Sequence, residues 1–386
     1  MLDNLTEMKI TSLKIVLVAS LLAIVSCKKE AQRAVLKSAS AKITHAKGFD
    51  IVEEKGNKKL IIKSAYQNAT EDATYPLSKK IPSTALASTK LNTIQIPVKN
   101  IVVTSTTHIP MVELLQSENT IVGFPHGQYV SSARTRKLLD AGKIAEIGKE
   151  NSLNTEILLD LQPELVVGYS VTSPDKSLTT LQKAGINVIY NGDWLEETPL
   201  GKAEWIKFFG VLFDKEKQAD SIFKAIETNY VNAKKSALLG LQKPTVLSGA
   251  IMSKDIWNLP AGESFVAQFL KDANLTYLWK DTKGKGSLSL SFESVFDKGA
   301  NADIWIAPGY FTSKKQLLES NALYAKFKAF QDDNIYTPTT KKGKSGGVLY
   351  YELATTRPDL VLKDLIKITN PALLPDYELV FFEKMK

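Results

Sequence analysis

The stretch that most constrains this chain is DKEKQADSIFKAIETNYVNAKKSALLG, from Asp214 to Gly240. Its apolar or small residues fall at Ala219, Ile222, Phe223, Ile226, Tyr230, Ala233 and Ala237, the three-and-four spacing that lays one stripe along an α-helix. Asp214 is placed to cap the first turn, Glu216 suits the positive helix end, Gly240 can close the last turn and Pro244 forbids continuation. About 25 helical residues at ~1.5 Å each make a rod of roughly 37 Å, long enough to span two lobes. Alternating short β and α segments flank it on both sides. The pattern predicts a rigid strut joining two α/β lobes across a cleft, although the same periodicity would serve a core helix of one large domain.

The amino terminus says where such a chain works. Lys9 and Lys14 precede an uncharged run, Ile15 to Val25, which suits the apolar region of a secretion signal and is too short to span a bilayer. The run ends in Ile24-Val25-Ser26-Cys27, which looks like a bacterial lipobox whose cysteine becomes the diacylated first residue of the mature chain. Cys27 is the only cysteine among the 386 residues, which excludes disulfides and cysteine-based metal sites. Six basic residues between Lys28 and Lys47 face one acid, Glu30, so this arm carries five of the eight net positive charges. It lacks interleaved aromatics, which argues against nucleic acid. A solvated linker and a tether favouring anionic headgroups both fit it.

After the arm, Phe49 to Tyr66 reads as two β-type runs around Lys55-Gly56-Asn57, a hairpin, and Gln67 to Val98 as a strand-poor segment packed on the first lobe. The expected divisions are a signal at 1–27, a flexible tether at 28–47, an N-terminal hairpin and irregular segment at 48–98, a first lobe at 99–205, the connecting helix at 206–240 and a second lobe at 241–386. Strand, helix and strand alternate in both lobes, which implies parallel crossovers whose loops gather at one sheet edge. Ligands of open α/β sheets bind at that edge. The lobes also echo one another: Ser152-Leu-Asn-Thr-Glu156 and Ser289-Leu-Ser-Phe-Glu293 each open a helix followed by an acid and an apolar strand. Glu156 and Glu293 are then either helix-dipole acids or matched carboxylates for a partner with two basic pockets.

The lipobox, the strand Ile101 to Ser105 with Thr106-Thr107-His108, and Thr155-Glu-Ile-Leu-Leu-Asp-Leu-Gln-Pro-Glu-Leu-Val-Val form a distinctive set. Together with Gly185-Ile-Asn-Val-Ile-Tyr190, Thr198-Pro-Leu-Gly-Lys-Ala-Glu-Trp205 and Arg357-Pro-Asp-Leu-Val-Leu-Lys363, they make the chain resemble the helix-linked class of ABC-importer substrate-binding proteins. The likeness runs from about Lys99 to the carboxyl terminus, and the lipoprotein form is similar to members from the Bacteroidetes. It implies a monomer, lipid-anchored in the periplasm, that hands a ferric siderophore, haem or cobalamin to an ABC permease dimer with its ATPase. It also implies that Glu156 and Glu293 dock into arginine pockets of that permease.

Residues just past strand ends are the candidate ligand contacts: Thr107, His108, Tyr129, Tyr169 and Trp194 from the first lobe, and Trp257, Tyr310, Tyr350 and Tyr351 from the second. Aromatic groups on both walls suit a bulky or flat ligand. Three histidines, His45, His108 and His126, are few for a zinc or manganese receptor, and no resident cofactor is expected. Haem could take Tyr310, Tyr350 or His108 as an axial ligand, with nothing in the spacing to select one. The four arginines, Arg33, Arg134, Arg136 and Arg357, form no evident cluster, which points to a ligand of little net negative charge. An enzyme is not expected: there is no Gly-x-Ser-x-Gly elbow, and Lys342-Gly-Lys-Ser345-Gly-Gly347 lacks the upstream glycine of a phosphate loop. The competing reading is a surface-exposed nutrient-capture or adhesion lipoprotein with no permease.

Overall fold

The computed structural model describes residues 42–386 apart from 64, 68, 81–92, 150, 151, 253 and 255. The signal, Cys27 and most of the basic arm lie outside the described residues. Two open sheets carry the fold. In the first, Val188–Tyr190, Leu165–Gly168, Ile101–Val103, Ile121–Phe124 and Ala145–Glu146 lie side by side, all parallel. In the second, Thr276–Tyr277, Thr245–Ser248, Ile304–Ile306 and Ile335–Thr337 are parallel and Glu383–Lys384 adds an antiparallel edge. The central strands IVV, LVVG and IWI are buried throughout rather than alternately, as expected where elements cover both faces.

The long helix runs Glu216–Ala237, 22 residues, or about 33 Å. Its stripe is shared between two cores. Ala219, Phe223 and Ile226 belong to the first lobe's apolar cluster, whereas Tyr230, Ala233 and Ala237 belong to the second lobe's. The Tyr230 hydroxyl donates to the buried Asp272 carboxylate at 2.7 Å, and Lys234 pairs with the same group at 2.8 Å. Asp214 does not cap this helix. It occupies a left-handed turn, φ 56°, and pairs with Lys79 instead. Lys215 is the N-cap residue, because the preceding helix Ile206–Leu212 ends only a few residues earlier and the reversal consumes Asp214. Ile206–Leu212 is itself fully buried in the first core rather than part of the strut.

Two expectations for the amino-terminal region change. The hairpin Phe49–Glu54 and Asn57–Ile62 is extended by Ala73–Ser78 and Ile94–Gln95 into a four-stranded sheet. Ala73, Tyr75 and Leu77 of the third strand alternate toward the first core, and pairing with Asn57–Ile62 completes it although only Leu77 is fully buried. The end of the tether is also held. The buried Glu204 carboxylate accepts from the amides of Thr44, His45 and Ala46, and Glu196 accepts from those of Lys47 and Gly48. Lys207 offsets Glu204 at 2.9 Å, and these bonds hold the Glu204 carboxyl below its ordinary range despite burial.

The lobes meet on one side through the arm 341–352. Glu352, buried in the second lobe, accepts from the amides of Ser131 and Ser132 in the first at 2.6 and 2.9 Å. Ser345 donates to the Val130 carbonyl at 3.2 Å. A Cβ on Gly347 would stand 2.1 Å from the Tyr129 carbonyl oxygen, and one on Gly343 would stand 2.5 Å from Ser131 Cα, so only glycine permits this approach. The glycine-rich segment therefore serves lobe contact rather than phosphate binding.

Phe223→Ala is expected to cost about 3–5 kcal/mol in urea unfolding, because its ring completes the first core; a loss under about 1 kcal/mol would contradict the helix's place in that core. Gly347→Val or Glu352→Ala is expected to speed hydrogen exchange at Ser131 and Ser132 by about tenfold or more, in line with a charge-assisted bond of about 1.5–3 kcal/mol. Unchanged protection would show that the arm does not hold the lobes.

Candidate functional site

Strand order places the site. In the first sheet the chain moves from Ile101–Val103 to Ile121–Phe124 on one side and later returns to Leu165–Gly168 on the other. The reversal leaves a crevice past the carboxyl ends of Ile101–Val103 and Leu165–Gly168. The second sheet reverses likewise between Thr245–Ser248 and Ile304–Ile306. Ala307 adopts φ 55° and Gly309 φ 103°, a kink that sends Tyr310 into the open at 75% exposure.

Two cavities lie where the carboxyl edges of the lobes face one another. One, about 370 Å³, is lined by Ser105, Thr107, Tyr169, Val171, Asp193 and Trp194 of the first lobe, by Lys202, and by Phe265 and Thr355 of the second. The other, about 470 Å³, is lined by Thr106 and Tyr129 on one wall and Tyr310, Thr339, Lys342, Tyr351 and Glu352 on the other. Thr106 and Thr107 lead into the helix His108–Leu114, which meets Leu349–Leu353 and so partly divides the cleft.

The floor of the smaller cavity is built from a polar set. Thr107 Oγ1 donates to Asp193 at 3.2 Å. Lys202 donates to the carbonyls of Asp193 and Trp194 at 3.0 and 2.9 Å, which fixes the loop that presents the Trp194 ring. Its ammonium lies 4.7 Å over the Phe265 ring, and burial holds the Lys202 group below its ordinary range. Charges at the walls are few and of both signs.

The sequence candidates separate into liners and core residues. Thr107, Tyr129, Tyr169, Trp194, Tyr310 and Tyr351 line the cavities. His108 does not: it is wholly buried beneath the floor, tilted against Phe209 at 5.6 Å, and burial lowers its pKa. As the first residue of its helix it points inward where Thr107 points out. Trp257 is also a core residue. It lies in Ile256–Pro260, a strand of a small antiparallel sheet with Ala250–Ile251 and Ser287–Ser291, and stacks on Trp305 at 5.1 Å. Tyr350 packs on Phe381 and Phe382, one helix position away from the exposed Tyr351. Asp193, Lys202, Phe265, Thr339, Lys342 and Thr355 also line the cavities; Lys202 sits within the Thr198 to Trp205 phrase and Lys342 opens the glycine-rich segment, while the other four carry no local signal of a site. Three arginines are engaged elsewhere: Arg134 with Glu118, Arg136 with Asp140 and Arg357 with Asp359.

Glu156 and Glu293 hold equivalent places. Each is the second residue of its helix, Thr155–Leu161 or Phe292–Gly299, after a side-chain cap from Asn154 or Ser291. The echoed serines lie in short strands just before those caps, Ser152–Leu153 and Ser287–Ser291, not in the helices. Each helix turns directly into a parallel strand, so it runs back against that strand and its first turn lies toward the carboxyl edge of the sheet. Both acids are exposed there, on the cleft's side of the two lobes.

Residues 101–341 match the periplasmic binding protein family. An uncharacterized lipoprotein of Methanocaldococcus jannaschii is 25% identical over 301 residues, covering 75% of this chain and 70% of its own length. Among solved structures, a periplasmic haem-binding protein from Pseudomonas aeruginosa aligns with TM-score 0.55 at 17% identity, over 75% of this chain and 98% of its own. A triscatecholate siderophore-binding protein from Bacillus subtilis, complexed with ferri-bacillibactin, aligns with TM-score 0.52 at 17% identity, over 71% and 94%. These likenesses show a shared fold. The chain binds a solute rather than converting one, and it belongs to the periplasmic binding protein family.

Proposed function

We propose that this chain captures a bulky, near-neutral metal chelate of the siderophore, haem or cobalamin kind between its lobes and delivers it to an ABC permease. The observation that carries the reading is the pair of aromatic walls, Tyr129, Tyr169 and Trp194 facing Phe265, Tyr310 and Tyr351, across cavities with few charges. Aromatic faces bind large flat or greasy ligands by burial and stacking. A strongly anionic chelate calls for forked guanidinium contacts, and Arg134, Arg136 and Arg357 are already paired with carboxylates. That favours cobalamin or a near-neutral siderophore. Cys27 is the proposed lipid anchor in the cell envelope, and the name of the archaeal relative, a lipoprotein, is consistent with an extracytoplasmic place.

Delivery rests on Glu156 and Glu293, whose matched positions at the cleft edge suit two basic pockets on a two-fold permease. The shared helix limits closure to a small rocking of the lobes, because a wide hinge would tear Phe223 or Tyr230 from its core.

Titrating the protein with cyanocobalamin, haem and ferric siderophores is expected to give a tight complex with one of them, weakened about tenfold or more by Trp194→Ala or Tyr310→Ala, as expected for loss of a stacking anchor of ~1.5 kcal/mol. Affinity indifferent to both changes, or tight binding of a citrate-type chelate, would contradict the reading. Replacing Glu156 and Glu293 together with Ala is expected to abolish uptake by cells while leaving affinity intact; intact uptake would favour capture without a permease, and lost affinity would place the acids in the binding site.

A further inference from the structure

The far end of the long helix carries an apolar tip that the binding cleft does not use. Leu238, Leu239 and Leu241 are 67, 72 and 100% exposed, in the turn between Ala237 and the strand Thr245–Ser248. Val231, exposed one and two turns earlier on the helix, shares a face with Lys235 and Leu238. Asn370 donates to the Gln242 carbonyl at 3.5 Å, which sets the exposed Pro371 and Ala372 beside the turn. Single exposed leucines are ordinary, but three within four residues at a projecting turn are an unfavourable patch to leave in water.

Basic side chains surround it. Lys235, Lys243 and Lys271 are exposed around this turn and its neighbouring helix, while Lys234 is neutralised by Asp272. We propose that this tip is a second membrane contact, in which the leucines enter the interfacial layer of a bilayer and the lysines meet anionic headgroups. Leucines flanked by lysine on a projecting element fit that layer. A second copy of the chain is a poor occupant, since two such tips would bring lysine against lysine on molecules that each carry a net charge of +8.

The tether makes the contact reachable. The described residues begin beside the long helix, where His45 meets Glu227 at 2.6 Å, and ten helical residues, roughly 15 Å, separate Glu227 from Ala237. The residues between Cys27 and Lys42 can extend up to about 50 Å. An anchor at Cys27 and the leucine tip can thus sit in one bilayer. The tip precedes the strand Thr245–Ser248 at its amino end, whereas Glu293 and Tyr310 lie toward the carboxyl edge. A protein resting on its tip therefore holds its cleft away from the bilayer, in a posture suited to loading rather than to delivery.

The test uses the full chain with Cys27→Ser and Leu241→Cys, so that an environment-sensitive fluorophore on position 241 reports that site and no acyl group contributes. Because this readout involves no ligand, it succeeds or fails separately from the cleft reading, and the apolar leader is common to every variant. Vesicles containing phosphatidylglycerol are expected to blue-shift the label, phosphatidylcholine vesicles are not, and Lys235→Glu with Lys243→Glu is expected to raise the lipid needed by about tenfold or more. A label that stays solvent-like with anionic vesicles, or that shifts equally with neutral ones, would overturn the proposal. So would a shift that grows with protein concentration in the absence of lipid, which would assign the tip to a second copy.

Discussion

One helix buried in two cores is the constraint on which the rest depends. Phe223 and Ile226 are covered by the first lobe, and Tyr230 and Ala233 by the second, only one turn further on. The lobes cannot rotate widely about such an element without exposing part of its stripe to water, at roughly 25 cal/mol per Å² of apolar surface. The buried Tyr230 hydroxyl and the exposed Lys234 add an electrostatic tie, both directed at the buried Asp272. Only a slight rocking of the facing walls would leave that stripe covered.

Strand order supplies the walls. Each sheet reverses direction once, and each reversal opens a crevice at the carboxyl edge, into which the loops after Ile101–Val103, Leu165–Gly168 and Ile304–Ile306 project. Because both sheets present the same edge, Trp194 comes to face Phe265 across one cavity and Tyr129 comes to face Tyr310 across the other. The arm 341–352 then closes one side through Glu352 and two glycines.

The sequence made legible whatever is encoded locally. The helix stripe and the apolar central strands follow from neighbours in the chain. Misreadings cluster where the partner is distant. Trp257 looked like a cleft residue because its strand is made by Ser287–Ser291, some thirty positions away, which turns its ring into the core. Tyr350 and Tyr351 are indistinguishable as letters, and the helix phase alone assigns one to Phe381 and the other to the cavity. Thr44 to Lys47 has the look of a linker, since the carboxylates that hold it, Glu196 and Glu204, lie about 150 residues later. Phe265 and Thr355 carried no local signal, being ordinary residues brought to the cleft by packing.

The central claim is a ligand held at facing sheet edges by lobes that an unyielding helix keeps in register. Hydrogen exchange of the protein with and without whichever of haem, cyanocobalamin or a ferric siderophore it binds tests this most directly. Slowed exchange confined to residues 104–107, 169–171, 193–195, 307–311 and 339–352, with the amides of Glu216–Ala237 unchanged, is the result the account predicts. Protection centred on the outer face of either lobe, or a marked change along the long helix, would contradict it.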